Sequence, residues 1–281
     1  MSMLPLFSAS EDAAAFIRRI VREETGVNLG PDKQYLIDTR LQPILRQYGL
    51  ASHGDLVGKL RNGAARDVLR RAVIEALLTP ETSFFRDRHV FSYLENLLLP
   101  SVIASRAAER QLRIWSAASS SGQEIYSLAM LLAEKFPQLR GWTVSLLATD
   151  VSERILAYAR AGCYTRFEAQ RGLTEEQRRK YLMERDGDFQ VRKDLRQLVD
   201  FRILNLTAKW PPLPPMDIIL LRNVLIYFND ETRRDIFAQA ACALRRDGVL
   251  ILGASETIVR SEFGFRPRLG TAPGVYERTD G

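Results

Sequence analysis

The residues most suited to binding chemistry follow two predicted strands. In residues 112–127 an apolar run gives way to the small or turn-forming residues 116–122, and apolar residues at helical spacing begin at Ile125. A strand, a tight loop and a helix in this order open a doubly wound nucleotide-binding sheet, and small side chains let a ligand lie against the backbone. The next strand, 144–148, leads to Asp150. A carboxylate at the tip of the second strand binds ribose hydroxyls in such folds.

The loop also narrows the class of ligand. It does not have the G-x-G-x-x-G pattern, and no lysine follows it to bind a phosphate. These features disfavour a dinucleotide or ATP and favour a nucleoside without phosphates, such as S-adenosylmethionine (SAM). An ordinary strand–helix turn of an α/β protein has a similar pattern and remains the alternative for this segment taken alone.

Two more polar pairs follow predicted strands. One is Asn205 with Leu206, and the other is Arg222 with Asn223, inside the apolar segment IILLRNVLIYF. Open α/β sheets bind ligands at the carboxyl ends of their strands, so both pairs are candidate site residues. An arginine and an asparagine between two buried runs need partners. The alternative is a helix-capping pair that satisfies only local backbone groups.

The elements around these residues alternate between strand and helix, which predicts an α/β fold with a doubly wound, mainly parallel sheet. The predicted strands are 112–116, 143–148, 199–204, 217–221 and 248–253, the helices are 123–136, 152–161 and 230–246, and a last antiparallel strand lies near 275–278. The chain between Gly162 and Val199 is too long for one crossover. We expect a small inserted β lobe at about 163–200, with a helix over 175–185 and a turn at Asp186–Gly187.

The N-terminal part has helical periodicity and no strand pattern, so residues 1–78 are predicted to form a small all-helical domain. Val68 is among the apolar residues of its last helix, and Lys33, Arg40 and Arg46 fall on a basic outer side of the helix that starts at Lys33. Residues 79–111 join this domain to the sheet domain, 112–281. The joining segment is too apolar to be a free linker, so we expect it to pack on another part of the protein.

Composition bounds the function. The chain has 281 residues, 46% hydrophobic and 26% charged, with a formal net charge of +6. The positive charge suits nucleic acid or an acidic protein surface. The two cysteines, Cys163 and Cys242, are too few for a disulfide framework and lack a metal-site pattern, so we expect no metal. The first 12 residues do not have the pattern of a secretory signal, and no apolar run approaches the length of a membrane span. We therefore expect a cytoplasmic protein without membrane insertion.

Seven motifs carry a family resemblance. They are ETSFFRDRHVF (81–91), IWSAASSSGQEIYSLAM (114–130), LATDVSERIL (147–156), ARAGCY (159–164), ILNL (203–206), LRNVLIYF (221–228) and GVLILGASE (248–256). In this order they resemble the chemotaxis receptor glutamate O-methyltransferases, the CheR family. The helical domain, with TGVNLGPDKQYLIDTRL, is similar to the N-terminal domain of that family.

The resemblance implies SAM-dependent methylation of specific glutamates on the cytoplasmic helices of chemoreceptors for sensory adaptation, with S-adenosylhomocysteine as the product. It implies that the helical domain docks the receptor, that the joining segment contributes to the cofactor site, and that the protein is a monomer acting on receptors rather than nucleic acid. The implied cofactor-binding residues are Thr82, Arg86, Glu124, Asp150, Asn205, Leu206, Leu221, Arg222 and Asn223, and the implied catalytic residues are Arg86 and Tyr227. The family usually has asparagine where this chain has Pro80, and cysteine or alanine where it has Ser119.

The implied chemistry needs no general base, because a glutamate carboxylate is ionised at neutral pH and is already a nucleophile. Two residues keep structural alternatives: Arg86 could stack on Phe84 or Phe85, and Tyr227 could be a core residue. Two functions also remain as alternatives. A nucleic-acid methyltransferase would share the sheet and the basic charge, although its usual polar-Pro-Pro-aromatic loop is replaced by LRNVLIYF. A catalytically weak SAM-binding signalling protein would account for Pro80.

Overall fold

The computed structural model describes residues 12–62, 66–258, 264–269, 271 and 273–279. The chain divides into two compact units, Met1–Thr79 and Pro80–Gly281. The prediction that the first 12 residues contain no secretory signal falls almost entirely on residues 1–11, which lie outside the described residues. Within the described part of the chain, no helix is both long enough and apolar enough to cross a membrane.

The first unit is helical, as predicted. Its α-helices are α1 (Ala13–Thr25), α2 (Gln34–Gln47), α3 (His53–Asn62) and α4 (Arg66–Leu77). Asp12 caps the start of α1 with its carboxylate, and Gly26 ends that helix in the left-handed conformation, with φ of 72°. The apolar faces pack into one core around Ile17, Ile37 and Leu41. Val68 lies in α4, as predicted for a helical residue, but it is 66% exposed, since only one face of α4 meets the core.

Two of the basic residues predicted for the outer side of α2 differ in their use. Arg46 is exposed. The Arg40 guanidinium instead donates to the carbonyl oxygens of Leu77 and Leu78, at 3.3 and 2.9 Å, and to the Thr79 hydroxyl at 3.0 Å. A cation at the C-terminus of a helix satisfies carbonyl groups that lack helical partners. Arg40 therefore fastens the end of α4 within the first unit.

The second unit contains a mainly parallel sheet with helices, which confirms the predicted fold class. The strands are β1 (Gln111–Ala117), β2 (Thr143–Asp150), β3 (Cys163–Tyr164), β4 (Leu182–Arg185), β5 (Asp188–Val191), β6 (Val199–Ile203), β7 (Met216–Leu221), β8 (Leu244–Leu252), β9 (Phe265–Pro267) and β10 (Val275–Arg278). The larger sheet has the order β6-β2-β1-β7-β8-β10-β9. Its first five strands pair in parallel, and β10 is antiparallel to β8 and β9.

The α-helices of the second unit are α5 (Arg88–Tyr93), α6 (Leu99–Ser105), α7 (Gln123–Lys135), α8 (Glu153–Ala161), α9 (Arg166–Gln170), α10 (Glu175–Tyr181), α11 (Lys193–Arg196) and α12 (Asp230–Ala243). Three of these helices, α7, α8 and α12, follow sheet strands as the alternating pattern predicts. A π-helical turn, Leu94–Leu98, joins α5 to α6. Most of the joining segment is therefore helical, and Phe84 and Phe91 are buried in the core beside the sheet.

An inserted lobe with its own small sheet lies between α8 and β6, as predicted. Its strands have the order β3-β5-β4 and are antiparallel. Asp186 and Gly187 form the turn between β4 and β5, with φ of 53° and 87°. The helix predicted over 175–185 was too long: α10 ends at Tyr181, and Leu182 starts β4. Pairing of Leu182 with Val191 favours the extended conformation there, and local periodicity could not reveal that long-range contact.

The predicted helix over 230–246 was also too long. The helix α12 ends at Ala243, and Leu244 is already extended because it pairs with Met216 across the sheet. A register irregularity between Met216 and Ile218 accommodates this early pairing. The extra strand residues lie at the end of the sheet away from the candidate site.

Candidate cofactor site

The candidate site lies where the strand order of the sheet reverses. Strand β1 lies between β2 and β7, and the chain continues from β1 to β2 on one side and reaches β7 on the other. Open α/β sheets bind ligands in the crevice beyond the carboxyl ends of the strands at this position. The loop 118–122 follows β1, Asp150 is the last residue of β2, and Arg222 follows β7, so all three lie at this edge.

The small-residue loop makes a tight turn that ends at the start of α7. Ala118, Ser120 and Gly122 have positive φ values of 56°, 51° and 91°. The Ser119 N–H donates to the Thr149 carbonyl at 2.8 Å, and the Ser120 N–H donates to the Asp150 carboxylate at 2.9 Å. The loop after β1 is thus fastened to the end of β2.

Asp150 is half-buried at the tip of β2. Its second carboxylate oxygen accepts from the Ser152 N–H at 3.1 Å. Burial raises the pKa of this carboxyl, and the backbone hydrogen bonds from Ser152 and Ser120 offset part of that rise. A carboxylate has about four acceptor positions, so Asp150 can accept further hydrogen bonds from ligand hydroxyls.

A buried ion pair joins the end of β7 to the first turn of α7. The Arg222 side chain is only 2% exposed, and its guanidinium contacts the Glu124 carboxylate at 2.5 Å and the Asp87 carboxylate at 2.7 Å. It also donates to the Arg86 carbonyl at 2.9 Å. Glu124 accepts from the Ser116 hydroxyl at 2.7 Å. The Arg222 guanidinium therefore binds groups of the protein itself and holds Glu124 in place.

Glu256 was not among the predicted site residues, although it lies in one of the motifs. It is 5% exposed, and its carboxylate accepts hydrogen bonds from the N–H groups of Asn223, Val224, Leu225 and Gly253, at 2.6, 2.8, 2.7 and 2.9 Å. It thereby fixes the turn after β7, in which Asn223 has φ of 59°. Glu256, not the Arg222–Asn223 pair, fills the capping role. No local sequence signal indicates this, because three of its four partners are 31 to 33 residues away.

The segment 80–87 lies across the loop and the start of α7. The Ser120 hydroxyl donates to the Pro80 carbonyl at 2.8 Å, and the Phe85 N–H donates to the Ser127 hydroxyl at 2.9 Å. Thr82 and Arg86 are half-buried within this segment. One nitrogen of the Arg86 guanidinium donates to the Glu81 carbonyl at 2.9 Å. The segment therefore brings two predicted site residues to the edge of the sheet.

The remaining predicted residues follow β6 and β7. The Leu204 N–H donates to the Asp150 carbonyl at 3.0 Å, which places Asn205 and Leu206 next to the tip of β2. Asn205 accepts from the Thr207 N–H at 3.0 Å, and Leu206 is buried. Leu221 is the buried last residue of β7. Tyr227 is half-buried in the short 3-10 helix Leu225–Tyr227.

The described residues fit a nucleoside cofactor without phosphates. The Asp150 carboxylate ends β2, where it suits ligand hydroxyls and would repel a phosphate. The Ser119 hydroxyl and the Arg222 Nε are buried and, within the described part of the chain, have no hydrogen-bond partner. Buried polar atoms of this kind are usually satisfied, so the Ser119 hydroxyl is available to a ligand at the loop.

Comparison with known proteins gives the same assignment. Residues 80–271 match the family model described as CheR methyltransferase, SAM binding domain. Residues 12–78 match the model described as CheR methyltransferase, all-alpha domain. The two matched segments correspond to the two compact units of the structure.

Related proteins cover most of the chain. The chemotaxis protein methyltransferase of Vibrio parahaemolyticus is 41% identical over 243 residues, which is 85% of this chain and 87% of that protein. Chemotaxis protein methyltransferase 1 of Pseudomonas aeruginosa is 40% identical over 246 residues, with 85% and 88% coverage. The chemotaxis protein methyltransferase of Escherichia coli is 34% identical over 258 residues, with 90% and 86% coverage. The resemblance in the motifs is thus confirmed, and the chain belongs to the CheR methyltransferase family, with a SAM-binding domain in its second unit.

Proposed function

We propose that this protein transfers the methyl group of SAM to specific glutamate side chains on the cytoplasmic helices of chemoreceptors, forming methyl esters for sensory adaptation. The names of the related chemotaxis methyltransferases support the chemotaxis role. The observation that carries the proposal is the group of residues at the point where the strand order reverses: the carboxylates of Glu124 and Asp150 and the backbone of the small-residue loop. Tyr227 follows Arg222 by five residues along the chain.

The proposed roles follow from position. Asp150 accepts hydrogen bonds from the ribose hydroxyls, and Asn205 and Leu206 flank the adenine. Thr82, Arg86 and Glu124 bind the amino-acid end of the cofactor, with Leu221 and Asn223 at the floor of the site. Arg222 acts through Glu124, because its guanidinium is held by Glu124 and Asp87.

Bound SAM supplies a methyl group on a positively charged sulfur. The incoming glutamate carboxylate is ionised at neutral pH, so no residue has to remove a proton. One carboxylate oxygen forms a bond to the methyl carbon while the carbon–sulfur bond breaks, giving the methyl ester and S-adenosylhomocysteine. The protein contributes by aligning the carboxylate, for which Arg86 and Tyr227 provide donors, and by excluding water.

The direct test is methyl transfer from labelled SAM to receptor signalling fragments. We expect base-labile label on fragments that keep their methylatable glutamates. Fragments in which these glutamates are replaced by alanine should receive none. Labelling that is independent of the glutamates, or labelling of nucleic acid, would contradict the proposal.

Tyr227→Phe is expected to lower kcat roughly 10- to 100-fold, because one hydrogen bond to a charged carboxylate contributes about 1.5–3 kcal/mol. The affinity for S-adenosylhomocysteine should change by less than about twofold, because the hydroxyl aligns the substrate and not the cofactor. Steady-state kinetics and calorimetry measure the two effects. A fully active Tyr227→Phe variant would assign Tyr227 to packing.

Arg86→Ala is expected to reduce turnover at least about tenfold through the lost donor to the carboxylate, and more than it reduces cofactor affinity. Arg88→Ala is the matched control, because Arg88 is an exposed arginine two residues along the chain. Equal losses of cofactor affinity and turnover in Arg86→Ala would assign Arg86 to the cofactor alone.

We propose that the helical unit docks acidic receptor helices through its exposed basic side, with Arg46 as the clearest contributor. Arg46→Glu is expected to raise KM for the receptor and to weaken the salt dependence of KM, because exposed charges act over distances that salt screens. Arg66→Glu on α4, also an exposed arginine, controls for net charge.

Arg40 is a poor probe of docking, since it binds the end of α4. Its reversal should lower the thermal stability of the helical unit. If Arg46→Glu methylates receptor like the parent protein at low salt, the recognition surface lies elsewhere.

A further inference from the structure

The segment that carries Thr82 and Arg86 has an unfavourable backbone conformation. Phe85 and Asp87 have φ of 47° and 60°, in the left-handed region that costs energy for residues with a side chain. Such conformations persist only where the surroundings impose them, and they cluster at functional sites. The inner side of the segment is held by Ser127, which binds the Phe85 N–H, and by Arg222, which binds the Arg86 carbonyl.

The outer side of the segment is held by the inserted lobe. Gly172, between α9 and α10, packs directly on the backbone of Phe84. A Cβ atom at Gly172 would lie 1.8 Å from the Phe84 carbonyl oxygen and 2.7 Å from its carbonyl carbon. Gly172 also has φ of 104°. Only glycine allows this approach, because both contacting groups are backbone and neither can rotate away.

Tyr164, in strand β3 of the lobe, contacts both the 80–87 segment and the small-residue loop. Its ring lies edge-on to the Phe84 ring with centroids 5.0 Å apart. Its hydroxyl is buried and donates to the Ser121 carbonyl at 2.6 Å. One side chain of the lobe therefore fixes Phe84 and the small-residue loop together.

The exposed contacts between lobe and segment add little. Arg171 pairs with Glu81 at 2.8 Å, and one Arg88 nitrogen lies 3.5 Å from the Gly172 carbonyl. Exposed ion pairs of this kind contribute about 0–1 kcal/mol, so we assign the fixing of the segment to the buried contacts of Gly172 and Tyr164.

We propose that the inserted lobe sets the geometry of the cofactor site, with Gly172 and Tyr164 as positioning residues that hold the 80–87 segment and the small-residue loop in register. This inference rests on the proposed function for the place of the cofactor. The inference goes beyond the proposed function, because it gives the inserted lobe a role in cofactor affinity as well as in any contact with a partner.

Gly172→Ala tests the backbone contact. We expect the affinity for S-adenosylhomocysteine, measured by calorimetry on the full chain, to fall about tenfold or more, because a displaced segment loses at least one hydrogen bond to the cofactor, which contributes about 1.5 kcal/mol. The matched control is Gly187→Ala, which has φ of 87° and nothing within 4 Å of the added Cβ atom. It introduces similar backbone strain into the same lobe without touching the segment, so its affinity should stay within about twofold of the parent.

Tyr164→Phe tests the second contact and keeps the ring. Loss of the hydrogen bond to the Ser121 carbonyl should weaken S-adenosylhomocysteine binding about 3- to 10-fold. In both test variants KM for SAM should rise while KM for the receptor does not. A role in stability alone would lower the melting temperature in Gly172→Ala and Gly187→Ala alike and leave cofactor affinity unchanged.

Two outcomes would overturn the proposal. The first is a folded Gly172→Ala protein that binds S-adenosylhomocysteine as tightly as Gly187→Ala does. The second applies if Gly172→Ala does not fold, and it is a Tyr164→Phe protein whose affinity for S-adenosylhomocysteine equals that of the parent protein. S-adenosylhomocysteine binds without a methyl acceptor, so this test does not depend on the receptor. If the variants lose affinity as expected but the parent protein does not methylate receptors, only the proposed substrate is contradicted.

Discussion

Arg222→Met is expected to destabilise the second unit by about 3–5 kcal/mol, because it removes one partner of a buried ion pair and leaves the others uncompensated. Glu124 is 12% exposed and Asp87 is 26% exposed, and both face the Arg222 guanidinium. The loss should also release the Arg86 carbonyl, and with it the 80–87 segment. Denaturant unfolding measures the first effect, and S-adenosylhomocysteine calorimetry on the folded fraction measures the second.

Arg202→Met is the matched control for this prediction. Arg202 pairs with Asp200 at 2.6 Å, but the two side chains are 60% and 53% exposed. Removal of an exposed pair should cost no more than about 1 kcal/mol. The double variant Arg222→Met with Glu124→Gln should recover part of the stability, since it removes one of the unpaired charges. A loss in Arg222→Met no larger than in Arg202→Met would show that the buried pair contributes little.

Asp150→Ala is expected to weaken S-adenosylhomocysteine binding at least about 100-fold, because each of two hydrogen bonds to a charged acceptor contributes about 1.5–3 kcal/mol. Calorimetry measures this affinity directly. Asp150→Asn keeps the shape and one acceptor oxygen, and should lose less affinity. An unchanged affinity in Asp150→Ala would remove this residue from the cofactor site.

The affinity should also depend on pH through the same residue. Burial raises the pKa of Asp150 above its usual 3.8. Only the ionised carboxylate accepts hydrogen bonds from both ribose hydroxyls. The affinity for S-adenosylhomocysteine is therefore highest above the raised pKa and falls as the pH drops through it. The fall should therefore begin at a higher pH than for an ordinary aspartate. It should be absent in Asp150→Asn, which has no ionisable group at this position.

The positions of the loop 118–122 and of Asp150 at strand ends were predictable from the sequence, because the signal for each is local. A run of small residues after an apolar strand predicts a tight loop, and the loop 118–122 has three positive φ values. Alternation of strand and helix predicts a parallel sheet, and the carboxyl ends of parallel strands necessarily meet at one edge. Asp150 and the loop could thus be placed together before any contact was known.

The sequence could not predict partners that are distant along the chain. Arg222 and Asn223 were grouped as one pair, but Arg222 binds Glu124 and Asp87, while the Asn223 N–H binds Glu256. Both helices predicted too long, over 175–185 and 230–246, end early for the same reason. Strand pairing with a distant segment outweighs local helical periodicity.

The sequence alone determined the class of fold, the edge of the sheet at which the candidate site lies and, through its motifs, the family. These depend on periodicity, residue size and the order of motifs, which are properties of neighbouring residues. The tertiary structure alone decided what holds the site in shape: Glu256 on the turn after β7, Arg222 between two carboxylates, and Gly172 against the Phe84 backbone. A single glycine or glutamate has no pattern of its own, and its importance arises only from the groups that folding brings into contact with it.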